Sequence, residues 1–165
     1  KTWSTPTTGG PSFPARFPMA WDSTRQQIFG LCYGLGAGDS LYLGVNAVKV
    51  NGNVQTAITF NASAALTQFI ADSPYQAGMD YDPINDQFLF YEGIGAKAGR
   101  VYVITPNAGT VWDMSLYNYA PGAVTPPATV GAGINNRFSY VPEYRGFIMM
   151  PNANSDLYFL KTGEL

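Results

Sequence analysis

Apolar and polar residues alternate with a period of two through three stretches of this chain, and a short polar turn interrupts each. The first runs Phe17-Pro18-Met19-Ala20-Trp21, turns through 22–26, and resumes as Gln27-Ile28-Phe29-Gly30-Leu31-Cys32-Tyr33. The second runs Gly78-Met79-Asp80-Tyr81, turns at Asp82-Pro83-Ile84-Asn85-Asp86, and resumes as Gln87-Phe88-Leu89-Phe90-Tyr91. The third runs Phe138-Ser139-Tyr140-Val141, turns through 142–146, and resumes as Phe147-Ile148-Met149-Met150. Each reads as a β-hairpin. Trp21, Tyr81 and Tyr140 are spaced by 60 and 59 residues, and an apolar residue follows each seven later, at Ile28, Phe88 and Phe147. A third aromatic follows at Tyr42 and Tyr102, each 21 after the first, with Tyr158 as its counterpart 18 after Tyr140. Self-similarity at a fixed period sets the architecture before any local feature does.

Third strands are expected at 40–43, 100–103 and 156–159, after Gly- or Asn-rich loops, and fourth strands near 54–60 and 110–119. No stretch shows the apolar spacing of a helix. The reading is all-β: three four-stranded antiparallel repeats of about 60 residues, the pattern of β-propeller blades. The blades span approximately 17–60, 77–119 and 136–165 of a single domain. Their strands are apolar on both faces, as blades packed between neighbours must be. Through the Tyr81-Asp82-Pro83 turn, the Phe88-Leu89-Phe90 strand and Trp112, the arrangement resembles the kelch and galactose-oxidase type of propeller. Single Gly34 and Gly93 stand where a kelch repeat carries paired glycines. Thr105-Pro106-Asn107-Ala108-Gly109-Thr110-Val111-Trp112 resembles the Asp-box of sialidase-type propellers, with Asn107 in place of Asp and Val111 in place of Ser or Thr. In that family the motif is a structural turn remote from the active site.

The third repeat ends at Leu165 without a fourth strand, while the segment 1–6 belongs to no complete repeat. Counted on from Leu165, Trp3 falls ten residues after Tyr158, as Trp112 follows Tyr102. The N-terminal segment therefore fits as a closing fourth strand. Three blades do not close a ring, since rings use about four to eight. A second copy of the chain, or further blades of a longer one, would cover the open flanks. The chain begins at Lys1 rather than Met, as a processed product or a fragment would.

Composition narrows the chemistry. Charged residues are 12% of the chain and net charge is −2, about half the usual charged fraction. The nine basic residues are scattered singly, which argues against nucleic-acid binding. No apolar run is long enough to span a bilayer as a helix. There is no His, so imidazole-based nucleophile pairs and nearly all zinc or copper sites are excluded. The resemblance to galactose oxidase therefore carries no copper radical centre, and no cofactor is implied. Cys32, alone, reads as a core thiol.

Five residues stand out as ligand-binding candidates. Arg16 and Arg137 precede first strands, near a channel mouth, but the third arginine of a sialidase site is missing. Glu92 opens a second-to-third-strand loop, the ligand side of a propeller, with no partner carboxylate at a glycosidase-like separation. Tyr75 and Tyr119 flank the long loops 61–78 and 120–137, where aromatic rings stack on sugars or bury against a partner. Asn61 begins the sequon Asn61-Ala62-Ser63. Asp22, Asp82 and Asp86 sit in hairpin turns, where Asp caps backbone amides. These features imply a non-catalytic module recognising a protein or glycan within a larger extracellular or particle-surface assembly. The competing reading is an accessory part of a glycan-active hydrolase or lyase.

Overall fold

A computed structural model of the chain describes residues 18–34, 44–74, 76–129, 133–135 and 137–163. The fold is all-β, in three sheets. Sheet one joins β1 (Met19–Asp22), β2 (Gln27–Gly34), β3 (Gly44–Asn51) and β4 (Val54–Ala57) in that order, antiparallel throughout. Next come β5 (Thr59–Phe60) and a helix, α1 (Ala64–Asp72). Sheet two is built from β6 (Gly78–Asp82), β7 (Gln87–Tyr91), β8 (Val101–Thr105) and β9 (Val111–Leu116), with β5 added in parallel along β9. Sheet three contains β10 (Phe138–Val141), β11 (Gly146–Met149) and β12 (Tyr158–Lys161).

The spacing seen in the sequence has a direct structural origin. Trp21 pairs across the hairpin with Ile28, Tyr81 with Phe88, and Tyr140 with Phe147. The seven-residue interval is thus one hairpin register used three times. The fourth turn residue is left-handed in each case: Gln26, Asp86 and Arg145 have φ of 52°, 51° and 48°. Asp22 and Asp82, both fully buried, fix the first two turns. Asp22 Oδ1 accepts the amides of Thr24 and Arg25, and Asp82 Oδ1 those of Ile84 and Asn85. Val141 stands at this position in the third hairpin, where Pro142–Tyr144 form a 3-10 turn instead.

Sheet two lies between the other two and is buried on both faces. Toward sheet one, its Tyr81, Phe88, Phe90, Tyr102, Ile104 and Trp112 join Phe29, Leu31 and Ala47 in one core. Phe29 sits 4.8 Å from Phe88 and 4.7 Å from Trp112, ring centre to ring centre. Toward sheet three, Leu89, Tyr91, Val101 and Val103 meet Phe138, Phe147 and Met149 in a second core. The first strands β1, β6 and β10 run beside one another, with β6 in the middle. Gly78 allows this approach, because a Cβ there would fall 2.5 Å from the Asn135 carbonyl oxygen and 2.7 Å from Phe138 Cβ.

Several expectations are corrected. Residues 61–78 hold the helix α1, whose Ser63 cap accepts the Leu66 amide and whose Phe69 is buried against Phe90 and Tyr102. The stretch expected as one strand, 54–60, divides at Ile58. Ile58 still donates its amide to Ala47 in sheet one, whereas Thr59 donates to Thr110 beside sheet two. In sheet one the register of Tyr102 and Tyr158 belongs to Val48, which pairs with Gly30 as Tyr102 pairs with Phe90 and Tyr158 with Met149. The cause is strand length, since β2 and β3 each have eight residues and β7 and β8 five. The expected third strand at 40–43, including Tyr42, lies outside the described residues, as does the closing segment 1–6.

Candidate functional site

The concavity between the first strands forms a cavity of about 240 Å³, with Met19, Trp21, Asp80, Asn135 and Ser139 on its wall. Met19 and Trp21 are 54% and 50% exposed. Strand alternation puts them on one face of β1 while Ala20 and Asp22 turn inward. The Asp80 carboxylate is committed to structure, with Oδ1 accepting the Tyr81 amide and Oδ2 the Tyr140 amide at 2.9 Å. That second bond ties sheet two to sheet three. The wall is thus drawn from all three first strands and the segments that precede them, an arrangement suited to binding by contact. Among the described residues no cluster of three or more Cys, Asp or Glu side chains is placed to hold a metal.

The predicted site residues distribute over strand ends and the loops between them. Glu92 is buried and forms an ion pair with Lys97 at 2.5 Å, while its backbone carbonyl accepts the Thr129 hydroxyl. Thr129 also donates its amide to the Gly93 carbonyl, so the 120–137 segment is fastened to the connection between β7 and β8. Tyr119 reaches the same connection, its hydroxyl donating to the Gly99 carbonyl at 2.6 Å. Glu92 and Tyr119 thus converge on one loop. Arg137 acts apart from them, its guanidinium folded back onto the carbonyls of Gly133 and Ile134. Asn61 is exposed, and its side-chain amide donates to Asp113 Oδ1 at 2.7 Å. Arg16 and Tyr75 lie outside the described residues.

Three polar clusters bind elements together through pairings that the sequence does not reveal. At the loop end, Asp72 of α1 accepts from Arg100 at 2.6 Å and from the Tyr102 hydroxyl. Burial works against the Asp72 carboxylate, yet the bonds from Tyr102, Arg100 and Gln68 outweigh it and hold its carboxyl below the usual range. At the turn end, Arg25 makes a two-pronged bond to Asp86, both contacts 2.6 Å, across the joint between sheets one and two. The Tyr81 hydroxyl donates to Asp86 at 2.6 Å and accepts from Thr24. Burial first, then Asp86, pushes the Tyr81 phenol up to about 12. At the next joint, Asn85 donates to the Thr162 carbonyl and the Thr162 hydroxyl to Asp82 Oδ2. In both joints the third turn residue, Arg25 or Asn85, reaches forward to the following sheet. The common spacing of the turns was the available signal.

The outer flanks of the end sheets complete the picture. Trp21 and Ile28, the latter 39% exposed, carry the same register as buried Phe88 and Phe147 yet face outward from sheet one. On sheet three, Phe159 is 48% exposed, pairs with Ile148, and meets Tyr144 edge to face at 6.2 Å. No protein-family model matches the chain, and neither a curated protein nor a solved structure does.

Proposed function

We propose that this chain is a non-catalytic structural or binding module of the β-propeller type, presenting its loops and axial groove to a protein or glycan within a larger extracellular or particle-surface assembly. The observation that carries this reading is the burial of sheet two on both faces while, among the described residues, Trp21 and Ile28 of sheet one and Phe159 of sheet three stay exposed on the outer flanks. Successive sheets that share apolar faces, with their first strands gathered side by side, are what blades around an axis require. The reuse of one hairpin register in all three repeats supports the same geometry. The carboxylates of the groove and loops are bonded to amides, Lys97 or Arg side chains, an arrangement that favours holding shape over proton transfer.

Incubation with a panel of complex glycans, read both for retention and for newly released reducing ends, tests the non-catalytic reading. Retention or indifference without cleavage is expected. Cleavage by this chain alone overturns the reading and favours a glycan-active enzyme. Electron microscopy of the intact assembly should show blades around an axial channel, and a body without such an axis would overturn the propeller geometry.

A further inference from the structure

We propose that the two outer flanks, exposed among the described residues, pair head to tail between two copies of this chain, Trp21 and Ile28 of one docking on Ile148 and Phe159 of the other, so that two copies close one ring of six sheets. This rests on the propeller reading and names its partner. The argument is one of equivalent positions. In the first joint, Phe29 of sheet one faces Phe88 of sheet two. In the second, Leu89 shares a core with Phe147. Phe29, Leu89 and Ile148 each stand one residue after the apolar partner in the hairpin register, and Ile28, Phe88 and Phe147 are those partners. Every internal joint therefore sets the first kind of face against the second. Sheet three is left with the first kind outward and sheet one with the second.

Each chain thus carries both halves of the joint it lacks. Phe159 beside Ile148 and Trp21 beside Ile28 enlarge these halves with aromatic surface, the residue class that dominates association energetics. The polar fastening also has a successor. Arg25 and Asn85 reach forward from the third turn position, and Tyr144 occupies that position in sheet three, exposed and edge to face with Phe159. Two copies related by a two-fold axis form two identical joints and leave no open end, and six blades lie within the range of closed rings.

Light scattering behind size exclusion at micromolar concentration should give the mass of two chains. Trp21→Glu and Phe159→Glu should each weaken association at least about tenfold and run as single chains, with circular dichroism near that of the parent and a thermal midpoint that no longer rises with protein concentration. An equimolar mixture of the two variants should recover paired chains, because one of its two joints is unaltered. Should either variant misfold, a photo-crosslinking residue at Trp21 in otherwise unaltered protein must capture β11 or β12 of a second chain. A parent of single-chain mass, an open-ended ladder of sizes, or a Phe159→Glu variant that still pairs fully would each overturn the inference. Single-chain mass would leave the propeller reading standing, with other blades covering the flanks; glycan cleavage would remove the non-catalytic reading whatever the mass.

Discussion

Asp86 shows how one side chain can serve two sheets. Its carboxylate accepts two bonds from Arg25 and one from Tyr81. The Arg25 guanidinium above all holds its carboxyl below the usual carboxylate range. A carboxyl depressed on folding stabilises fully above its unfolded value of about 4. That contribution is lost as pH falls through the lower folded value. Asp72 and Asp82 have the same sign, their hydrogen-bond donors outweighing burial. The urea midpoint should accordingly fall on acidification from neutral pH through the carboxylate range. Asp86→Asn should lower the midpoint at neutral pH and flatten that decline; an unchanged acid dependence would remove Asp86 from the explanation. The effect is modest, under about 1 kcal/mol, because the pair is partly exposed to solvent.

Asn107 is a second case of a residue explained by its bonds. Its side-chain oxygen accepts the Gly109 amide at 2.8 Å and its nitrogen donates to the Val111 carbonyl. Asn107 thus closes the turn between β8 and β9 with an amide in place of a carboxylate, and Trp112 behind it donates its indole N–H to Gly109. Asn107→Ala should cost about 1 kcal/mol in thermal or urea melts. Asn107→Asp, which keeps only the acceptor, should fall between. Equal stability of all three proteins would show that the turn is held by other contacts.

At the scale of elements, α1 separates what pattern reading reaches from what it does not. The hairpins were legible because alternation and turn chemistry are local, so Trp21–Ile28, Tyr81–Phe88 and Tyr140–Phe147 could be paired on spacing alone. The helix is only nine residues long, and although Ala65, Leu66, Phe69 and Ile70 recur at helical spacing, only Ala65 and Phe69 are buried, so its signal is brief. Its Ser63 cap also doubles as the last residue of a sequon. Likewise nothing local marks Ile58 as the point where the chain leaves one sheet for another, since Val54, Ile58 and Phe60 fall on one alternating set and no Gly or Pro interrupts 54–60. The candidate residues fared differently again. Glu92 was picked out as an isolated acid, but its Lys97 partner depends on how the 92–99 loop folds back. Ser63→Ala should cost about 1 kcal/mol through the lost cap, and Phe69→Ala about 3–5 kcal/mol through an emptied core position. Helix loss confined to α1, seen by hydrogen exchange, would distinguish the cap from a global effect.

For the molecule as a whole, burial grades from the middle outward. Sheet two shares apolar surface with both neighbours, whereas the flanks of sheets one and three are half wet. Amide exchange should follow that gradient. β7 and β8 should be the slowest to exchange, with the edge strands β4 and β12 the fastest, measured under native conditions by mass spectrometry. Comparable protection in β4 and β8 would contradict it.

The short strand β5 carries a practical corollary. Because Thr59 and Phe60 bond to the outer edge of a sheet whose other strands begin near residue 78, the boundary of the sequence period and the boundary between sheets fall in different places. Anyone excising or transplanting sheet two at the period boundary would leave behind one of its own strands. Donor and recipient cuts should therefore be made between Ile58, which still bonds sheet one, and Thr59, which already bonds sheet two.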